Sequence, residues 1–364
     1  MSKLFEKLKL REVEFRNRLW VSPMCQYSSS DGMPTDWHLV HLGSRAVGGA
    51  GLVMVEATAV SPEGRISPKD SGIWSDDHAD AFKRITRFIR DQGSVAGIQL
   101  AHAGRKASTA APWDGGKEVA VEAGGWQPIA PSPIKFMEGY PQARVMTIED
   151  IESVINDFVS AAKRSVEAGF QVVEVHAAHG YLLHEFLSTL SNRRTDEYGG
   201  SLESRMRFPL AVAKGVRDAV PSALPVFVRI SATDWVEGGW DLEQSIEFCR
   251  LLKGLGIDLI DVSSGGNVPD APIPVIPGYQ VPFAKEIKAR AGIKTAAVGM
   301  ITEPKQAEKI LQNEEADAIF VAREFLRDPY FVFRAAKELG VDVEVPKQYG
   351  RAIDLRVAKA VEAK

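Results

Sequence analysis

Residues 169–181 read Gly-Phe-Gln-Val-Val-Glu-Val-His-Ala-Ala-His-Gly-Tyr and join a helix stop, an apolar strand and a polar strand end. Gly169 stands where a helix C-terminus favours a residue in the left-handed conformation. The next run, Val172–His176, is apolar enough for burial on both faces, which is typical of a parallel sheet. Gly256 and Gly292 stand in the same position before two later apolar runs. The pattern therefore predicts a repeated helix–strand unit.

The same unit recurs along the whole chain. Eight apolar runs are predicted to be strands: Leu19–Ser22, Gly51–Glu56, Val95–Leu100, Val172–His176, Val226–Ile230, Leu259–Ser263, Thr295–Gly299 and Ala318–Ala322. The amphipathic stretches between them are predicted to be helices: His38–Gly48, Asp77–Gln92, Thr147–Ala168, Leu202–Ala219, Leu242–Leu255, Pro282–Ala291 and Glu303–Gln312, with a last helix after Arg327–Pro329. Eight such units predict an α/β fold, a (β/α)8 TIM barrel that forms one domain over residues 1–364. A doubly wound open sheet is the alternative, but its usual dinucleotide turn, Gly-x-Gly-x-x-Gly, is absent.

Two additions to the barrel are predicted. Residues 1–18 alternate in hydrophobicity like a small N-terminal hairpin, which we expect to plug the N-terminal mouth of the barrel. Residues 103–146, which follow the third strand, contain much Gly and Pro and lack periodicity. An insertion of that length is usually functional or disordered.

The composition excludes several classes of protein. The 364 residues are 45% hydrophobic and 25% charged, unlike a disordered, coiled-coil or collagen-like chain. A net charge of −4 leaves no basic excess for nucleic acid. No apolar run approaches the ~20 residues of a membrane helix, and Met1–Lys7 lacks a signal-peptide core. Two cysteines are too few for a disulfide framework or an iron–sulfur cluster. We expect a soluble cytoplasmic protein.

Polar side chains gather where the predicted strands end, which is where TIM barrels carry their chemistry. His176, His179 and Tyr181 follow the fourth strand. Two histidines three residues apart could hold a metal, but a third ligand at a typical spacing is not evident. Buried histidines are also often satisfied core residues. With Tyr181 beside them, the pair favours hydrogen-bond donation to a ligand oxygen, a task that suits neutral imidazole.

Other strand ends carry cations, an amide and a thiol. Arg229 lies inside the fifth strand, where an arginine needs an anionic partner, and we expect a delocalised anion there. Arg323 opens the helix after the eighth strand, at the usual phosphate position of barrels, or forms an ordinary capping ion pair. Gln99 can form hydrogen bonds with the edge of a heterocyclic ligand, or it can be a core amide whose hydrogen bonds are all made within the protein. Cys25 is a small buried hydrophobe or a cofactor contact.

Several motifs resemble the old yellow enzyme family. Residues 176–205 are similar to the family signature, with His-Ala-Ala-His-Gly-Tyr-Leu at 176–182 and Asn-Arg-Arg-Thr-Asp at 192–196. Further similar segments are Pro23–Tyr27, Asp36–His38, Glu56–Thr58, Gln99–Lys106 and Arg323–Pro329. The segment Pro23–Tyr27 resembles the opening motif of the thermophilic-like subclass, which includes bacterial NADPH dehydrogenases of the xenobiotic reductase A type. The resemblance covers essentially the whole chain.

The resemblance implies an FMN-binding barrel and assigns its residues by position. The residues that match FMN contacts are Ser22, Pro23, Met24, Cys25, Ala57, Gln99, Arg229, Gly299, Ala322 and Arg323. By the same matching, His176 and His179 bind the substrate oxygen, Tyr181 donates a proton and Tyr27 is a further substrate contact. Ala322 departs from the family, which usually has a glycine there. No metal is implied.

The implied activity is that of an FMN-dependent NAD(P)H oxidoreductase, an ene-reductase. It reduces activated C=C bonds of enones, maleimides, nitro compounds or quinones by ping-pong hydride transfer, with NADPH or NADH as reductant. A dienoyl-CoA reductase is excluded, because two cysteines cannot hold its iron–sulfur cluster. A flavin-binding barrel without ene-reductase turnover stays an alternative. Arg351 lies in a stretch resembling the segment that subclass members extend into a neighbouring active site, which implies a homodimer or homotetramer.

Overall fold

The computed structural model describes residues 2–353, and these residues contain twelve β-strands and eleven α-helices. The strands are β1 (Leu8–Leu10), β2 (Val13–Phe15), β3 (Leu19–Val21), β4 (Leu52–Ala59), β5 (Val95–Ala101), β6 (Ile129–Ala130), β7 (Arg144–Val145), β8 (Val172–Ala177), β9 (Val226–Ser231), β10 (Leu259–Ser263), β11 (Lys294–Ala297) and β12 (Ala318–Val321). The helices are α1 (Asp36–Val47), α2 (Asp76–Asp91), α3 (Ile148–Glu167), α4 (Leu182–Leu187), α5 (Leu202–Ala219), α6 (Leu242–Gly254), α7 (Val281–Ala291), α8 (Pro304–Gln312), α9 (Arg323–Arg327), α10 (Phe331–Leu339) and α11 (Gly350–Ile353).

Eight strands close into a parallel barrel in the order β3-β4-β5-β8-β9-β10-β11-β12. The (β/α)8 TIM barrel is therefore confirmed, and each predicted strand overlaps one barrel strand. β4 continues past the predicted end at Glu56 to Ala59, and β11 ends at Ala297 rather than at Gly299. Gly299 has a φ of +112°, which a strand residue does not adopt, so the chain leaves the sheet before it.

Apolar residues form one core between strands and helices and a second core inside the barrel. In the inner core the rings of Trp20 and Phe227 stack at 5.8 Å, and Phe320 meets Trp20 edge-on. The antiparallel hairpin of β1 and β2 adds Leu8, Leu10, Val13 and Phe15 to this inner cluster. The hairpin thus closes the amino end of the barrel, as the sequence predicts.

The insertion after the third barrel strand is also present. Residues 102–147 run through short 3-10 turns and the two-stranded pair of β6 and β7. The segment ends at a capping box, in which Thr147 and Asp150 satisfy each other's backbone N–H at the start of α3. The insertion lies across the carboxyl end of the barrel, where the Trp113 ring is 5.6 Å from the Tyr27 ring.

None of the helices in residues 2–353 is both long and apolar enough to cross a membrane.

Candidate active site

A cleft of about 250 Å³ opens at the carboxyl ends of the last four barrel strands. Arg229 of β9 and Ser263 of β10 line it, together with Gly299 after β11 and with Ala322 and Arg323 after β12. These residues are far apart in the sequence. They meet because parallel barrel strands deliver their carboxyl ends to one face of the molecule.

His176, His179 and Tyr181 form a compact group beside this cleft. The His176 ring is 5.2 Å from the His179 ring and 5.0 Å from the Tyr181 ring, and both pairs are nearly perpendicular. The Nδ1 of His176 accepts from the Ala178 N–H at 3.3 Å, so its Nε2 carries the proton in the neutral ring. The Nε2 of His179 lies 2.7 Å from the Ser263 hydroxyl.

The backbone turn that carries this group has left-handed residues and is held by a hydrogen bond to a buried histidine. His179 and Gly180 are both left-handed, with φ of +59° and +72°. A Cβ at Gly180 would lie 2.3 Å from a carbonyl oxygen, so the position requires glycine. The Gly180 N–H donates to His184 Nδ1 at 2.9 Å, and His184 Nε2 lies 3.1 Å from Asp234 Oδ1. Asp234 therefore orients the imidazole that holds the turn.

Burial sets the protonation of all three side chains. Desolvation, followed by the charge of Arg229, holds the pKa of His176 and His179 well below the usual histidine value. Desolvation raises the pKa of Tyr181 well above the usual tyrosine value. At neutral pH the group therefore offers neutral imidazoles and a protonated phenol.

Lys106 of the insertion lies against this group, a contact that the sequence pattern does not predict. Its Nζ is 5.4 Å from the centroid of the Tyr181 ring and 4.1 Å from that of Phe136. The ammonium donates to the carbonyl of His179 at 2.7 Å. Desolvation, followed by the charge of Arg105, lowers the pKa of Lys106 to about 7. The insertion has no periodicity, so its path over the barrel cannot be read from sequence.

Arg229, for which the sequence predicts an anionic partner, has one within the protein in the carboxylate of Asp261. The Nε of Arg229 lies 3.2 Å from Asp261 Oδ2, because the two residues are paired in register on β9 and β10. The Nη1 donates to Ser22 Oγ at 3.2 Å. Nearby, Gln99 Nε2 donates to Glu174 Oε1 at 2.8 Å, so the Gln99 amide has a protein partner as well. Glu174 and Asp261 are not among the residues predicted for the site, although each is a charged residue within a largely apolar strand, and that pattern could have identified them.

The loop after β3 carries Cys25 and Tyr27 and is fastened to β4. The Gln26 N–H between them donates to Glu56 Oε2 at 3.1 Å, and the other Glu56 oxygen lies 3.6 Å from His38 Nε2. Tyr27 is left-handed, with a φ of +48°. Desolvation, followed by the charge of Asp70, raises the pKa of the Cys25 thiol well above its usual value, so the sulfur stays protonated.

Of the remaining predicted residues, Ala322 and Arg323 line the cleft, Ala57 lies on β4 and Arg351 lies in the last helix. Arg323 is exposed, and its Nη2 is 3.4 Å from the Met300 sulfur. Ala322 has a φ of −103°, so its backbone does not demand the glycine usual in the family. Ala57 is buried on β4 next to Gln99 of β5. Arg351 lies exposed in α11, on the outside of the subunit.

The fold and the site together define a class. The chain is a TIM-barrel enzyme with a cationic cleft at its carboxyl end and a group of hydrogen-bond donors beside it. Among residues 2–353, no cluster of three or more His, Cys, Asp or Glu side chains is placed to hold a metal ion.

Comparisons with known proteins agree with this class. A profile of the NADH:flavin oxidoreductase / NADH oxidase family matches residues 3–342. The chain is 50% identical to an NADPH dehydrogenase of Listeria monocytogenes, over 97% of this chain and 99% of that one. Among solved structures, the old yellow enzyme homologue of Zymomonas mobilis is 28% identical with a TM-score of 0.79, covering 95% of this chain and 96% of that one. Morphinone reductase in complex with tetrahydroNAD is 28% identical with a TM-score of 0.77, covering 94% and 92%.

The chain belongs to the NADH:flavin oxidoreductase / NADH oxidase family, of the old yellow enzyme type. It is an oxidoreductase whose cofactor is FMN and whose reductant is a nicotinamide dinucleotide.

The residues of the cleft fit FMN. The Arg229 guanidinium, whose Nε faces Asp261 and whose Nη1 donates to Ser22 Oγ, lines the cleft. Arg323, at the other end, meets no carboxylate within salt-bridge distance in the described part of the chain. Gly299 has a φ of +112°, which residues with a side chain rarely adopt, and a Cβ there would also lie 2.6 Å from Gln280 Nε2. The Arg229 guanidinium that lines the cleft, the exposed Arg323 guanidinium and Gly299 suit a planar ring with a phosphate tail.

Proposed function

We propose that this chain is an NADPH dehydrogenase that passes its electrons to activated C=C bonds. Enones, maleimides, nitro compounds and quinones are the substrate classes, and both half-reactions use one site in a ping-pong cycle. The observation that carries the proposal is the group of His176, His179 and Tyr181, whose donors stay neutral beside the Arg229 cleft. The 50% identity to a protein named NADPH dehydrogenase supports NADPH as the reductant.

The residues that would hold FMN come from six barrel strands and the loops after them. They are Ser22, Pro23, Met24, Cys25, Ala57, Gln99, Arg229, Gly299, Ala322 and Arg323. Arg229 and Gln99 would face the polar edge of the ring, and Arg323 the phosphate. When bound, FMN supplies reversible acceptance and release of a hydride.

The side chains above the cleft would bind and protonate the substrate. His176 and His179 donate hydrogen bonds to its carbonyl or nitro oxygen, and this polarises the double bond. Tyr181 delivers a proton to the α-carbon from its phenol, which burial keeps protonated. Tyr27, held by the Glu56-anchored loop, is a further substrate contact.

An assay of NADPH oxidation with cyclohexenone separates this function from its alternative, a flavin-binding barrel without turnover. We expect anaerobic NADPH oxidation beyond the one equivalent that reduces the bound flavin only when the enone is present, with one saturated ketone formed for each NADPH consumed in turnover. Flavin reduction by NADPH with no ketone would favour the alternative.

Cys25 is expected to tune the flavin without covalent chemistry, because its thiol stays protonated. Cys25→Ala should retain turnover but shift the reduction potential and the visible spectrum of bound FMN. Cys249→Ala is the matched control, since Cys249 is a buried thiol within α6. It should change neither property. Complete loss of activity by Cys25→Ala with FMN still bound would instead identify a catalytic thiol.

Arg351 is expected to extend into the active site of a neighbouring subunit in a homodimer or homotetramer and to contact the substrate there. Arg351→Ala should weaken substrate binding, whereas Lys347→Ala, which changes an exposed cation in the same segment, should not. Mixing Arg351→Ala with Tyr181→Phe protein should restore enone reduction, because one mixed site then has both residues intact. If light scattering shows a strict monomer and that monomer has full activity, the shared site is refuted.

A further inference from the structure

Four polar side chains form a layer inside the barrel, directly beneath the cleft. Gln99, Glu174, Arg229 and Asp261 lie on the consecutive barrel strands β5, β8, β9 and β10. All are buried, and both carboxylates have no exposed surface. Gln99 pairs in register with Glu174, and Arg229 with Asp261. Below this layer the barrel is filled by apolar rings, including that of Phe227.

The layer has one more acidic group than basic groups. Arg229 lies 3.2 Å from Asp261, and among residues 2–353 it is the one cation that faces the two carboxylates from the neighbouring strands. Gln99 donates to Glu174 Oε1, and His176 is neutral. Glu174 Oε2 and Asp261 Oδ1 have no hydrogen-bond partner among the described residues. A buried charge without a partner is unfavourable, so the pair is poised to hold a proton.

The energetics of the two carboxyls agree with this arrangement. Desolvation, followed by the charge of Asp261, raises the pKa of Glu174 to about 8. Desolvation raises the pKa of Asp261 to about 6, against the opposing effect of Arg229. Arg229 forms its ion pair with Asp261, which favours the charged form of that carboxyl, so the proton that the pair binds is placed on Glu174.

Arg229 connects this pair to the cofactor site. Its guanidinium contacts Asp261 on one side, and on the other it contacts Ser22 and lines the cleft. A reduced flavin brings a negative charge to the same cation. Three anions would then compete for one buried guanidinium, and binding a proton on a carboxyl relieves that competition.

We propose that the Glu174–Asp261 pair binds a proton from solvent when the flavin is reduced and releases it when the flavin is reoxidised. This inference rests on the proposed function for the placement of the ring beside Arg229. Reduction transfers two electrons and one proton to the flavin as hydride, and the second proton goes to Glu174 Oε2. No bond of the protein other than this O–H forms or breaks.

The test is the pH dependence of the FMN reduction potential in the holoenzyme, poised with redox dyes and without substrate. Each extra proton taken up with the electron pair steepens the dependence by about 30 mV per tenfold change in proton concentration. In the unaltered holoenzyme we expect the reduction potential to fall more steeply with pH above the pH at which Glu174 ionises. In Glu174→Gln this steep region should be lost. Glu185→Gln is the matched control, because Glu185 of α4 is equally buried and also has a carboxylate oxygen without a partner among the described residues, but its neighbouring cations are Arg105 and Lys106 rather than Arg229. It should keep the steep region.

Redox-difference infrared spectra give a second readout, which uses the unaltered holoenzyme and therefore does not depend on how a variant folds. At a pH above 8, a protonated-carboxyl band should appear on reduction and vanish on reoxidation. Absence of that band, or a steep region that survives in both Glu174→Gln and Asp261→Asn, would overturn the proposal. Neither readout requires enone turnover, so a failure of the ene-reductase assay alone would count against the proposed function instead.

Discussion

Replacement of Tyr181 by Phe is expected to slow flavin reoxidation by cyclohexenone about 10²–10⁴-fold, the usual effect of removing a general acid. The reason is that the enone half-reaction requires a proton at the α-carbon. Flavin reduction by NADPH requires no proton from Tyr181 and should stay fast. Anaerobic stopped-flow traces of the two half-reactions measure these rates separately.

Two comparisons make the Tyr181 prediction specific. A nitroalkene should be partly spared by Tyr181→Phe, since the nitronate is stable enough to take its proton from solvent. His176→Ala should slow both half-reactions if the histidine pair also positions the nicotinamide amide. If Tyr181→Phe slows flavin reduction by NADPH and flavin reoxidation by the enone equally, the tyrosine is a binding residue and not the proton donor.

Replacement of Arg229 by Ala is expected to yield protein that purifies largely without FMN, or with a lowered flavin potential. Removal of the guanidinium also leaves Asp261 without its cation. Loss of one partner of a buried ion pair typically costs about 3–5 kcal/mol, so the free energy of unfolding should fall as well. Flavin absorbance per protein, a potential titration and denaturant unfolding measure the three effects.

Arg229→Lys separates charge from geometry at this position. The lysine keeps a cation near Asp261 but lacks the planar fork that can face Ser22 and the cleft together. We expect most of the folding stability to return and FMN occupancy to recover in part. Full FMN occupancy with an unchanged potential in Arg229→Ala would remove Arg229 from the flavin site.

The barrel could be predicted because its determinants are local. Each strand is an apolar run, and Gly169, Gly256 and Gly292 adopt the expected left-handed φ of +89°, +86° and +66°. The hairpin plug was also predictable, since Leu8 and Leu10 alternate with exposed residues on a short strand. His176, His179 and Tyr181 meet because three or fewer residues separate neighbours in the sequence.

Contacts between distant segments could not be predicted in the same way. Lys106 reaches Tyr181 through a loop whose course depends on tertiary packing. The pairing of Arg229 with Asp261 depends on the register of two strands, which a single sequence does not specify. The role of Glu56 depends on a register shift in β4 beside Ala57, an irregularity with no sequence signature.

The central claim is that one flavin at this site takes electrons from NADPH and gives them to an activated alkene. A double-mixing stopped-flow experiment tests it most directly: the FMN holoenzyme is reduced anaerobically with one equivalent of NADPH and then mixed with cyclohexenone. The account predicts that the yellow colour bleaches in the first step and returns in the second, with one equivalent of cyclohexanone formed. Flavin that NADPH reduces but the enone leaves bleached, with no cyclohexanone, would contradict it.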